Sequence, residues 1–85
     1  MTGAAAEVRW SYHQAATLGS WTLSADNGGA VHVSAQLVSH DAFRLSQQPL
    51  TFVVRRTNGQ SWTWPVDSLT VQDGSITARL GPQET

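Results

Sequence analysis

Three tight turns constrain this chain more than any other feature: "DNGGA" at 26–30, "TNGQ" at 57–60 and "QDGS" at 72–75. Each sits between runs in which apolar and polar residues alternate, the pattern of half-buried strands. A one-residue slip in pairing sends every side chain to the other face. The loop length at each turn can therefore be tested against the apolar pattern.

The central turn is the clearest case. A two-residue Asn58-Gly59 loop would pair Arg55 with Trp62 and Val53 with Trp64, and would leave Leu50, Phe52 and Val54 facing Ser61, Thr63 and Pro65. A three-residue Thr57-Asn58-Gly59 loop pairs Val54 with Trp62, Phe52 with Trp64 and Leu50 with Val66. All six apolar residues then share one face, and Gly59 falls where a type I turn with a G1 bulge needs a left-handed residue. The longer loop is preferred. The same test gives the first hairpin an Asn27-Gly28-Gly29 loop, with Ala25 opposite Val31, Leu23 opposite Val33 and Trp21 opposite Ala35. It gives the last hairpin an Asp73-Gly74 loop, with Val71 opposite Ile76 and Leu69 opposite Ala78.

Three hairpins thus agree on one apolar face apiece. With Val8-Trp10-Tyr12 added, and 62–66 counted apart from 69–71, the chain has seven strand candidates. No strong helical periodicity is available to cover an apolar sheet face, so the sheet must close on itself or pack on another sheet. The fold expected is all-β: a small antiparallel barrel or sandwich of about six to seven short strands joined by hairpins. Pro65 has no N–H to give, and in the preferred register the missing donor points away from strand 50–57. The strand at 60–66 is therefore at an edge, or bends, near that point. "SHDAFRLSQQP" at 39–49 reads as an irregular connection, with a short helix started by Ser39 or Asp41, or a bent strand, as alternatives.

Eighty-five residues make a single domain. Residues 1–7 read as a flexible N-terminal tail, 8–81 as the β domain and 82–85 as a C-terminal tail. The start lacks the basic and apolar regions of a signal peptide, and no apolar stretch approaches membrane-spanning length, so the expectation is a cytoplasmic chain without membrane contact. There is no Cys, which excludes disulfides and thiolate chemistry.

Charge narrows the partners. The net charge is -1, with five basic residues, all Arg, against six acids. Arg9, Arg44 and Arg79 form no local patch in the sequence, and none of the common nucleic-acid motifs is present, which disfavours nucleic acid. Trp62 and Trp64 share the apolar face and read as core, with Trp10 and Trp21 read the same way. Arg55 falls on the polar face. Arg56 sits at the hairpin tip on the apolar side, where its stem can lie over Trp62. His32, Ser34, Gln36, Thr22 and Ser24 form a polar hairpin face without a tryptophan on which a sugar could stack.

Catalysis finds no signature. In "SHD" at 39–41, adjacent residues on an extended chain point in opposite directions and cannot form a triad among themselves. His13, His32 and His40 lack metal-ligand spacing, and no cofactor motif appears. The sequence reading is a non-catalytic β-module for protein–protein contact or assembly, including self-association into a homo-oligomer. Its small size, the lack of a targeting signal and an Ala- and Gly-rich composition with Arg in place of Lys fit an accessory protein of a phage or mobile element. The contact residues expected are Arg55, Arg56, Trp62, His32 and Gln36. A small barrel binding single-stranded nucleic acid, or another ligand at an open barrel mouth, is the alternative; an enzyme is the third class.

Overall fold

The computed structural model describes residues 5–56 and 58–82. Six strands and one short helix follow in the order β1 (Ala5–Trp10), β2 (His13–Ala25), β3 (Val31–His40), α1 (Ala42–Leu45), β4 (Leu50–Arg55), β5 (Ser61–Gln72) and β6 (Ser75–Leu80). They form a closed antiparallel barrel in the order β1-β2-β3-β6-β5-β4, with β1 returning to pair with β4. Closure removes most of the unpaired strand edge that an open sheet would expose.

The hairpin registers carry the apolar faces inward. β4 and β5 pair Val54 with Trp62, Phe52 with Trp64 and Leu50 with Val66, the arrangement of the three-residue loop. Gly59 has φ +88, the left-handed conformation that loop requires; Thr57 lies outside the described residues. The last hairpin pairs Val71 with Ile76 and Leu69 with Ala78. Asp73 and Gly74 both have positive φ, as a two-residue type I′ turn demands. In the first hairpin Ala25 faces Val31 and Leu23 faces Val33. Trp21 departs from the expected pairing with Ala35, because the register shifts between Gly19 and Thr22. It is buried nonetheless, with its ring edge-on to Phe52 at 6.2 Å.

Four other expectations are corrected. Segments 62–66 and 69–71 are one strand, β5, not two. Val66 pairs with Leu50 on one side and Leu80 on the other, and the ladder shifts between Val66 and Ser68 as β5 passes from β4 to β6. Pro65 lies just before this shift, its carbonyl accepting the Gly81 N–H at 2.8 Å on the side away from β4. Tyr12 does not extend the first strand: the chain reverses over Ser11 and Tyr12, and Tyr12 is 95% exposed. Residues 5–7, expected in a tail, are the first half of β1. In 39–49, Ser39 and His40 finish β3. Asp41 caps the four-residue α1 by accepting the Arg44 N–H, and the remainder is irregular.

The barrel interior is the core. Phe52 and Val54 are fully buried, and Trp64 packs on Phe52 with ring centres 5.5 Å apart. Trp10, Trp62, Leu45 and Leu69 pack against this cluster while partly accessible.

The barrel consists of two three-stranded meanders, β1–β3 and β4–β6, joined along two antiparallel seams. Both meanders carry a Ser-Trp-Thr, at 20–22 and 61–63. Val33-Ser34-Ala35-Gln36-Leu37 in β3 is matched by Ile76-Thr77-Ala78-Arg79-Leu80 in β6. Midway along the β1–β4 seam, Glu7 faces Val53. Arg9 and Arg55 follow these two residues at the same spacing, so the antiparallel seam sets one arginine on each side of that pair.

Candidate functional site

Alternation along β1, β4 and β5 turns Glu7, Arg9, Val53, Arg55, Ser61 and Thr63 to the outside of the barrel. A shallow cleft of about 390 Å³ lies there, lined by Arg9, Val53, Arg55, Arg56, Ser61 and Thr63, with Gly59 at its rim. Three of the five arginines of the chain therefore meet on one surface. Arg44 and Arg79 lie elsewhere. Arg44 donates to the Gln14 carbonyl and pairs with Asp41 beside α1, and Arg79 stands on β6 opposite His32.

The floor of the cleft is unusual for an outward face. Val53 is only 5% accessible and does not belong to the interior cluster. Glu7 and Thr63 flank it on the neighbouring strands, and arginine stems in the same cleft can lie along apolar surface while their heads reach water. Glu7 is also largely covered, with 12% of its side chain accessible, and its two carboxylate oxygens are divided between two cations. Arg9 Nε donates to Oε2 at 2.6 Å, and Arg55 Nε stands 3.5 Å from Oε1. Among the described residues neither guanidinium has another acceptor, and the two side chains are 33% and 55% accessible. Arg56 is held differently: its guanidinium carbon lies 4.7 Å from the ring centre of Trp62, the cation–π contact its hairpin-tip position implies.

The five expected contact residues fall on two surfaces. Arg55 and Arg56 line the cleft, and Trp62 is connected to it through its contact with Arg56. His32 and Gln36 lie on β3, which pairs with β6 at the opposite seam, facing Arg79 and Ser75. His32 Nε2 is 3.3 Å from Asp26 Oδ2. Asp26 also accepts the N–H groups of Gly28 and Ala30, closing the hairpin loop. The His32 hydrogen bond, then that of Ala30, holds the Asp26 carboxyl below its ordinary value. Ser24 faces His32 across the ladder, which brings Ser, His and Asp together. Asp26 is committed to its loop, however, and both His32 and Asp26 are largely open to water. This cluster is a clasp that closes the hairpin loop.

Two residues of the site escaped the sequence reading: Arg9 and Glu7. Their outward alternation in "EVRW" is legible, but the pairing of β1 with β4 depends on strands more than forty residues apart in the chain. A second surface feature lies at the β1–β2 turn. Phe43 of α1 is 65% exposed and meets the Trp10 ring edge-on at 5.9 Å; the His13 ring is 6.0 Å from Trp10, and Tyr12 lies in the turn between those two residues.

Among the described residues no three His, Asp or Glu side chains stand together as a metal-ligand set. Nor is any helix among the described residues long and apolar enough to cross a membrane. No family model, curated protein or solved structure matches the chain.

Proposed function

We propose that the chain is a non-catalytic contact module that engages a protein partner through the outer face of β1, β4 and β5. One observation carries this reading: closure of the barrel gathers Arg9, Arg55 and Arg56 on one cleft, while Trp21 and Trp64 are buried and Arg56 lies over the ring of the partly accessible Trp62. Recognition of single-stranded nucleic acid relies on stacking as well as charge. Trp64 and Trp21 are buried in the barrel, and the face of Trp62 is occupied by Arg56. The indole beside these cations therefore already carries Arg56 over its ring. Arginine-rich clefts with an apolar floor suit protein contacts, where Arg is enriched among the residues that dominate affinity.

The test is affinity capture from the cells that encode the protein, comparing the wild type with an Arg9→Ser/Arg55→Ser variant. A protein retained by the first and lost by the second supports the reading. Capture that is unchanged by the substitutions, or that depends on nucleic acid and vanishes with nuclease, refutes it.

The exposed Tyr12 and Phe43 favour a second reading, self-association through the α1 end of the barrel. Large aromatics of this kind bury 150–250 Å² each when covered. Sedimentation of the wild type and of Tyr12→Ser/Phe43→Ser across a concentration series decides it. A monomer throughout rejects self-association.

A further inference from the structure

We propose that the arginine cleft is a seat for the carboxylates of an acidic partner segment, and that Glu7 is the residue that positions it. This rests on the contact reading above and names the chemistry of the partner.

Two of the cleft arginines already share one carboxylate. Glu7 offers one oxygen to Arg9 and the other to Arg55, so the two cations are set about a single planar acid. Both are engaged through Nε, the donor nearest the stem. That leaves the outer pair of nitrogens on each fork free to form parallel bonds with a further carboxylate, the geometry in which arginine binds acids most specifically. The side chains of Arg9 and Arg55 are 33% and 55% accessible, so an incoming group can reach them.

Charge points the same way. Three guanidinium groups against one carboxylate leave the cleft positive on a chain whose net charge is -1. The covered Val53 floor keeps water from one side of the site, where charge-assisted hydrogen bonds gain strength. A polynucleotide would need a track of cations following its backbone and faces for its bases, and the cleft provides a compact cluster with neither.

Glu7 has a role of its own. An arginine side chain has many rotamers, and holding one in place for a ligand loses that freedom on binding. The shared carboxylate holds two of them in advance. A purely electrostatic view predicts that removing this negative charge strengthens the binding of an acid. Positioning predicts the opposite sign.

The experiment uses the full ¹⁵N-labelled chain and follows the Arg Nε–H signals and backbone amides during titration with hexaglutamate, with oligothymidylate and inorganic phosphate as parallel arms. Hexaglutamate should shift the signals of Arg9, Arg55, Arg56 and Val53, with an affinity that falls as salt rises. Arg9→Lys and Arg55→Lys keep the charge but lose the fork, and each should weaken binding about tenfold. Glu7→Ala should also weaken it about tenfold, as expected for loss of an organising charged hydrogen bond. Glu7→Gln, which retains one acceptor and serves where the alanine variant fails to fold, should fall between. Arg79→Lys on the far seam should change nothing. Tighter binding by Glu7→Ala or Glu7→Gln overturns the positioning role. Oligothymidylate or phosphate binding as tightly as hexaglutamate at the same signals overturns the carboxylate assignment. Absence of any hexaglutamate shift in the cleft, with capture of a partner still lost in Arg9→Ser/Arg55→Ser, overturns this inference and leaves the contact reading standing. Capture indifferent to those arginines overturns the contact reading itself.

Discussion

Trp64→Ala probes the register on which the whole barrel depends. Trp64 stands opposite Phe52 on the inward face, is 7% accessible, and packs against a phenylalanine that is fully buried. Removing a large aromatic from such a position loses the transfer free energy of its surface and leaves a cavity. At about 25 cal/mol per Å² and 150–250 Å² for a buried aromatic, the transfer part alone is about 4–6 kcal/mol. Mutational series with partial collapse around the cavity give about 3–5 kcal/mol. A chain of 85 residues has a total stability of about 4–13 kcal/mol. The variant should therefore be close to, or beyond, unfolding in water. Urea melts followed by circular dichroism measure the loss, with Trp64→Phe as a milder variant that retains part of the packing. A loss below about 1 kcal/mol, typical of an accessible site, would refute the register and the placement of Trp64 in the core.

Three further outcomes are expected. Val53→Ala, although on the outer face, should destabilise by about 1.6 kcal/mol, the equivalent of two buried methyl groups, because the cleft side chains cover it; a neutral melt would mean that Val53 is solvated. Gly81→Ala should destabilise by about 1–3 kcal/mol, since a Cβ there would lie 2.8 Å from Pro65 Cγ and the Gly81 N–H is tied to the Pro65 carbonyl; unchanged thermal stability would refute that contact. Asp26 has a depressed folded pKa, so its contribution is present above the unfolded value of 3.8 and is lost as pH falls through the folded one. Stability should drop less on acidification in Asp26→Asn than in the wild type, and equal drops across a pH series of melts would refute the clasp.

The hairpins were legible in the sequence because their determinants are local. Gly59 and Asp73-Gly74 dictate loop length, and period-two alternation then leaves one register that keeps Phe52, Trp62 and Trp64 on a common face. The contact of Arg56 with Trp62 followed from the same local geometry. An irregularity near Pro65 was legible for a chemical reason, the missing N–H, and the ladder shift falls just after it, between Val66 and Ser68. Its consequence was not: that β5 runs on from β4 to β6 as one strand depends on where Val66 finds partners on both sides.

What joins the hairpins belongs to tertiary structure alone. Nothing local to "EVRW" says that Glu7 will face Val53, or that Arg9 will share a carboxylate with Arg55. Pairing of β1 with β4 closes the barrel, and the free energy that selects it is the burial of the whole apolar face, to which every strand contributes at once. Alternation by itself determined which side of each strand meets water. The closing seam decided which polar side chains meet one another there, because their proximity is a by-product of the core on the other face.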